Sequence, residues 1–374
     1  MGKKKILFLI ESFIVGGAEK VLIDIVNNLD EDKYEIVVCS VFKHSVYKGY
    51  DKTFEKPFKN HIKYKYLINN KYHWLYLIFK FLLARFPNII YQLFIGDKYN
   101  TVIAFYEGLP TYWISNAKLK KGKKIAWLHT TTALSQNTKN QNETNTEKYI
   151  YSQYNQIIAV SQSVAESFKR LFQLIEVPII IQYNPININH IRQNISLSYP
   201  IKDNKFTFIS VGRITEVKGY DRILRVANKL KDKGYSFQWW IIGGGDISNL
   251  QNYIENYSLN DIVLFLGHQD NPYPFIYQAD CFVSASYTEG LGMSLIEALA
   301  LEKAVLCSNY DAAKEILEND KYGIIFEQSD EDFFRKVEKI FQHPEILSSY
   351  QIKGLERANF FSIENQIKNI ENII

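Results

Sequence analysis

The chain predicts an α/β fold of two Rossmann-like, doubly wound domains facing one another across a cleft. Three observations lead there. Short, nearly continuous apolar runs alternate with amphipathic segments, the pattern of strands buried on both faces of a parallel sheet. The alternation restarts at Lys205, after a polar stretch, NPININ, at 184–189. A length of 374 residues suits about two domains. The expected boundaries are 1–185 for the first domain and 186–355 for the second. A C-terminal helix over 356–374 is free to cross back to the first domain.

In order, KILFLI is a buried strand, followed by a loop with Gly16 and Gly17 and a helix from Ala18 to Asn28. YEIVVCSVF, TVIAFY, KKIAWLH and QIIAVS are further short apolar runs bounded by turns. In the second half FTFISVGR, FQWWIIGGG, IVLFLG and DCFVSAS read as strands. YDRILRVANKLKDKG, ISNLQNYIENYSL and MSLIEALALEKA read as the intervening helices, and SIENQIKNIENII as a short amphipathic one.

Charge is uneven. Residues 1–200 hold 26 Lys+Arg against 15 Asp+Glu, a net of +11, while residues 201–374 hold 18 against 25, a net of −7. A nucleic-acid partner is not expected, because no helix-turn-helix, RRM or zinc-finger spacing is present. The Tyr and Lys residues clustered between 33 and 99 suit a surface that touches anionic lipid headgroups. Residues 72–95, YHWLYLIFKFLLARFPNIIYQLFI, are interrupted by Lys80, Arg85 and Pro87. A span needs about 20 uninterrupted apolar residues. Two readings stay open: a helix lying in the headgroup plane with snorkelling lysines, or a plain core helix. Cys39, Cys281 and Cys307 have no paired spacing and read as reduced core residues of a cytoplasmic protein. The apolar run that ends at Glu11 is too short for a signal-peptide core and reads as a first strand.

The chemistry concentrates in SYTEGLGMSLIEALA, 286–300. Glu289 and Glu297 stand eight positions apart, around Gly290 and Gly292 at a strand-to-helix junction. The glycines let backbone amides approach an anion at a helix N-terminus. The carboxylates suit hydroxyl groups of a sugar and a ribose, so the element points to a sugar nucleotide. Arg213 and Lys218, five residues apart in VGRITEVKG, follow a strand and match a diphosphate that departs with its charge. Their attraction grows as the phosphate–sugar bond breaks, so they favour the transition state. Gly243, in the GGG at 243–245, opens a tight turn lining the nucleotide pocket; the spacing of a dinucleotide fingerprint is missing. Neither HExxH, a His–Cys cluster nor a DxD-like motif is present, so metal independence is expected and no cofactor beyond the co-substrate.

VGRITEVKG, FLGHQDNPYPFIYQADCFVSAS and EGLGMSLIEALA together resemble the retaining family-4 glycosyltransferases of the GT-B fold, and IESFIVGGAEK resembles their donor-side glycine loop. The likeness covers roughly residues 6–30 and 120–330, strong in the second half and weak over 40–100. It implies that Arg213 and Lys218 clamp the diphosphate, Glu289 holds hydroxyls of the transferred sugar and Glu297 those of the ribose. Gly290, Leu291 and Gly292 would present backbone amides near the phosphates or sugar. Leu291 stands where the family often carries Phe, which leaves the backbone role untouched. Gly16 and Gly17 would approach the donor phosphate, and His129, ending KKIAWLH, resembles the active-site histidine. The implied activity is transfer from a nucleoside-diphosphate sugar, UDP foremost, to a carbohydrate or lipid-diphosphate-linked glycan in bacterial surface polysaccharide synthesis. The implied place is the cytoplasm, peripheral on the inner membrane face. Two alternatives remain: a sugar-nucleotide epimerase, which would turn over donor without acceptor, and a non-catalytic nucleotide-sugar-binding protein.

Overall fold

The computed structural model describes residues 2–13, 16–43, 57–69, 73–131, 141–173, 175–195 and 204–374. They form two compact units, Met1–Pro185 with Ile363–Ile374, and Ile186–Ser362.

The first unit is built on seven parallel strands: β1 (Lys4–Ser12), β2 (Tyr34–Phe42), β3 (Lys63–Ile68), β4 (Thr101–Ala104), β5 (Lys123–Leu128), β6 (Gln156–Ala159) and β7 (Ile179–Ile181). Their order is β3-β2-β1-β4-β5-β6-β7. Ile6 to Leu9 of the central strand are wholly buried, as a sheet covered on both faces requires. The second unit has β8 (Phe206–Val211), β9 (Phe237–Ile242), β10 (Val263–Phe265), β11 (Cys281–Ser284), β12 (Ala304–Ser308) and β13 (Ile324–Phe326), ordered β10-β9-β8-β11-β12-β13. Its core gathers Phe208, Ile241 and Val283 from the sheet with Ile223, Ala227 and Phe333 from covering helices. Both are the doubly wound parallel sheets expected. In each the winding reverses beside the first strand, between β1 and β4 and between β8 and β11. Such a switch point leaves a crevice outside the carboxyl ends of the strands, where ligands of these folds bind.

Several elements depart from the reading of the sequence. β3, β7, β12 and β13 are strands that it did not single out. β3, KYKYLI, is an edge strand with Lys63, Tyr64 and Tyr66 exposed, so it lacks the continuous apolar signal of the inner strands. The helix expected over 293–304 is Met293–Ala300. The chain turns at once, with Glu302 at φ +56° and the Lys303 amide donating to the Ala298 carbonyl, because Ala304 must enter β12. The C-terminal segment is two helices, Ile346–Phe360 in the second unit and Ile363–Ile373 in the first. Glu371 anchors the last helix: its Oε1 accepts from the Asp30 amide at 3.0 Å and its carbonyl from Tyr34 Oη at 3.2 Å.

The apolar run is also two helices, His73–Arg85 and Pro87–Phe94, bent by 114°. Tyr72 and the Tyr and Lys residues over 44–56 and 70–71 lie outside the described residues. Pro87 opens the second helix, where its missing N–H is harmless, and disfavours helical backbone at Phe86. Among the described residues no single helix is long and apolar enough to cross a membrane. The core-helix reading accounts for only one face. Phe79, Leu83, Ile90 and Tyr91 are buried, whereas Trp74, Leu77, Ile78, Phe81, Ile89 and Leu93 are each more than half exposed.

All three cysteines are buried and unpaired. Burial pushes the Cys39 and Cys307 thiols up to about 12, which keeps them protonated and inert.

Candidate active site

The second unit brings the expected cations and acids to one switch point. The chain leaves β8 through Gly212 and Arg213, makes a 3-10 turn at Glu216–Lys218 and enters the helix Tyr220–Asp232. It leaves β11 into the 285–292 loop. The two loops lie against each other at Gly219, whose φ is +65° and where a Cβ would fall 2.3 Å from the Ala285 carbonyl oxygen. Only glycine admits that approach. The Tyr287 amide donates to the Val217 carbonyl at 2.8 Å, closing the junction.

Lys218 Nζ consequently stands 2.5 Å from Glu289 Oε1, which also accepts from Ser286 Oγ at 2.7 Å. The sequence reading sends Lys218 to a diphosphate and Glu289 to a sugar; the fold pairs them with each other. A carboxylate that faced an incoming phosphate alone would repel it, and the ammonium removes that repulsion. Arg213 is exposed and makes no hydrogen bond or ion pair among the described residues. Glu297, one turn into Met293–Ala300, is buried and accepts from Tyr273 Oη at 3.1 Å. Leu291 buries its side chain, and Gly292, at φ +85°, starts the helix. Gly243 packs backbone to backbone beside this site: a Cβ there would lie 1.9 Å from the Gly212 carbonyl oxygen.

Arg222, almost wholly buried, braces the same loop from below. Its Nη1 donates to the Ala285 carbonyl at 3.2 Å and to Gln328 Oε1 at 2.8 Å, and its guanidinium lies 5.2 Å from the Tyr287 ring. Arg222, Ser286 and Tyr273 were missed in the sequence. Tyr273 stands within the resemblance motif, but only its hydrogen bond to Glu297 distinguishes it.

In the first unit, Gly16 caps the helix Gly17–Asn28 that follows β1. Glu19 folds back over it, so that a Cβ on Gly16 would meet Glu19 Oε2 at 2.4 Å. A carboxylate thus already lies by the positive end of this helix. His129 follows β5 directly. Its ring stacks on Tyr106 at 5.8 Å and meets Phe105 at 4.6 Å, and its Nε2 is buried with no hydrogen-bond partner among the described residues. Glu107 accepts at Oε1 from the His129 amide (2.8 Å), the Thr130 amide (2.8 Å) and Thr130 Oγ1 (3.0 Å). Among the described residues no group of three or more His, Cys, Asp or Glu side chains is placed to hold a metal ion.

Burial pushes the His129 imidazole down to about 3 from its ordinary 6.5. The unfolded chain then takes up a proton that the folded chain refuses. His129 therefore imposes no penalty above pH 6.5 and destabilises the fold progressively as the pH falls from there towards 3. In thermal melts over that window, His129→Gln should lose stability less steeply with acidification than the wild type. Parallel slopes would contradict the assignment.

Two family models match, Glycosyltransferase Family 4 over residues 15–190 and Glycosyl transferases group 1 over residues 191–356. A Campylobacter jejuni relative is 28% identical over 215 residues, 57% of this chain and 58% of its own. It is named N-acetylgalactosamine-N,N'-diacetylbacillosaminyl-diphospho-undecaprenol 4-alpha-N-acetylgalactosaminyltransferase. The Staphylococcus aureus capsular polysaccharide biosynthesis glycosyltransferase CapM is 26% identical over 179 residues, 47% of each chain. The chain thus spans about half the length of the curated relatives it matches. Among solved structures, Anabaena HepE in complex with UDP and glucose superposes with a TM-score of 0.78 at 18% identity, covering 99% of both chains. With its two units matched in turn from residue 15 to residue 356, the chain belongs to the family-4 glycosyltransferases of GT-B type.

Proposed function

We propose that the protein is a retaining glycosyltransferase that moves a sugar from a nucleoside diphosphate, UDP foremost, to a carbohydrate or lipid-linked glycan in bacterial surface polysaccharide synthesis. The observation that carries this reading is the convergence of Lys218, Glu289 and Ser286 at the β8–β11 switch point, with Arg213 on the adjoining loop and Glu297 one turn into the next helix. The names of the relatives, one acting on a diphospho-undecaprenol glycan and one in capsule biosynthesis, support the acceptor class. The UDP and glucose in complex with HepE support the donor class.

In this reading the bond from the anomeric carbon to the β-phosphate oxygen breaks, its electron pair staying on the phosphate. Arg213 and Lys218 stabilise the charge that develops there, so the reaction proceeds without a metal ion. The acceptor oxygen bonds to the same face of the anomeric carbon, and its proton passes to the departing phosphate. Glu289 and Glu297 orient the sugar and ribose hydroxyls, and Gly290 to Gly292 present amides to the donor. The apolar, basic face of residues 73–94 rests on an anionic membrane at its cytoplasmic side, where a lipid-linked acceptor is held.

Thermal unfolding with UDP, GDP, ADP or NAD tests the donor class. A ligand at about 100 times its Kd adds roughly 2.7 kcal/mol, or about 5–10 °C for a domain of this size. Stabilisation is expected with UDP and is expected to be lost in Arg213→Ala. A shift with NAD alone, or with none of the four, would defeat the reading.

A further inference from the structure

We infer that Glu107 is a positioning residue, which sets the His129 imidazole beyond the carboxyl end of β5, one strand from the first unit's switch point. Glu107 stands just beyond β4, in the turn before the helix Leu109–Ser115, and acts across 22 residues on the end of the neighbouring strand β5. Three donors, the His129 and Thr130 amides and Thr130 Oγ1, converge on its single oxygen Oε1. Charge-assisted bonds to two successive amides fix the direction in which the backbone leaves β5, and with it the direction of the His129 side chain. The residues just before Glu107 wall the ring that it aims: Phe105 meets it tilted and Tyr106 stacked, with Trp127 parallel on a third side. One short segment, 105–107, thus holds both the backbone and the ring of His129.

The arrangement leaves buried atoms unsatisfied. Among the described residues, His129 Nε2 and Glu107 Oε2 have no hydrogen-bond partner. Burial holds the Glu107 carboxyl above the usual range, against the lowering effect of its hydrogen bonds. Buried polar groups without partners are rare, because each forfeits its hydration. A brace for the loop alone would be served by a smaller, satisfied side chain. Glu107 instead holds an imidazole that burial keeps neutral, with Nε2 unpartnered among the described residues.

The test compares Glu107→Ala and Glu107→Gln in the full chain, and only its kinetic arm rests on the proposed transferase reading. The first readout is the 15N-labelled imidazole resonance of His129, assigned by its loss in His129→Gln. The second is kcat against KM for a UDP-sugar. Glu107→Ala is expected to move the His129 resonance and to lower kcat about 10²-fold, the scale of an ångström's misplacement, with KM nearly unchanged. Glu107→Gln keeps an acceptor at Oε1 and is expected to restore the resonance and most of kcat. If the alanine variant does not fold, Glu107→Asp withdraws the carboxylate by one methylene and should move the resonance likewise. An unmoved resonance in the Ala or Asp variant overturns the inference. So does a kcat loss that glutamine does not recover. A wild type inactive with every donor defeats the transferase reading, while the resonance still decides the link from Glu107 to His129.

Discussion

Lys218→Ala should lower sugar transfer about 10²–10³-fold, the loss typical when one donor to a developing oxyanion is removed. Two effects act together. The leaving phosphate loses an ammonium, and Glu289 loses the partner that stands 2.5 Å from its carboxylate. Both side chains of the pair are largely buried, 22% and 17% exposed, so the orphaned carboxylate is poorly screened and repels the diphosphate. A double-mutant cycle separates the two. Lys218→Ala with Glu289→Gln should bind UDP more tightly than Lys218→Ala alone, with a coupling of roughly 0.5–3 kcal/mol. Transfer should stay low in both, because both lack the ammonium and the double variant lacks the Glu289 carboxylate as well. Turnover within a few-fold of wild type in Lys218→Ala would remove the ammonium from the mechanism. Zero coupling would show that the ion pair has no part in nucleotide binding.

The second large effect belongs to the surface of His73–Arg85 and Pro87–Phe94. Trp74, Leu77, Phe81 and Leu93 expose 57%, 51%, 70% and 74% of their surfaces. So many large apolar side chains left in water on two successive helices suit an interaction site better than a scatter of surface residues. Lys80 and Arg85 are exposed on the same helices, which favours an anionic lipid surface over a neutral partner. Replacing the four by serine removes roughly 1 kcal/mol of interfacial burial each, so partitioning onto phosphatidylglycerol-containing vesicles should fall about 10²–10³-fold. Melting should change little, because the four contribute nothing to the core. The wild type should bind phosphatidylcholine vesicles less and release from anionic ones as salt rises. Flotation unchanged by the substitutions would end the membrane reading. A wild type that sediments as a dimer and ignores vesicles would assign the face to a second copy of the chain.

Legibility in the sequence followed the range of the forces involved. The inner strands could be read because burial on both faces imposes an apolar run on the chain itself. Edge strand β3 could not, since one side faces water and lysines interrupt the run. The 293–300 helix could be placed by its apolar face, but not its end: the stop at Ala300 is set by where β12 must begin. Glu289, Glu297, Arg213 and Lys218 were legible as residues of the right chemistry at the ends of strands. Glu107 and Arg222 were not, because nothing local marks them. Glu107 has three donors supplied from residues 22 and 23 positions away, and Arg222 bonds carbonyls and amides 63 to 106 positions distant.

The alternation of strand and helix, the restart at residue 205, and the charged and glycine residues at strand ends are written locally in the chain. Those are consequences of periodicity, capping and composition, which act within a few residues. Tertiary structure decided the rest: the strand orders that place each switch point, the pairing of Lys218 with Glu289, and the grip of Glu107 on the end of β5. It also decided that the 73–94 run turns an apolar face outward. These depend on which strands pair and which loops then meet. Strand pairing is stabilised by contacts between residues far apart in the chain, and no local pattern encodes which loop will lie beside which.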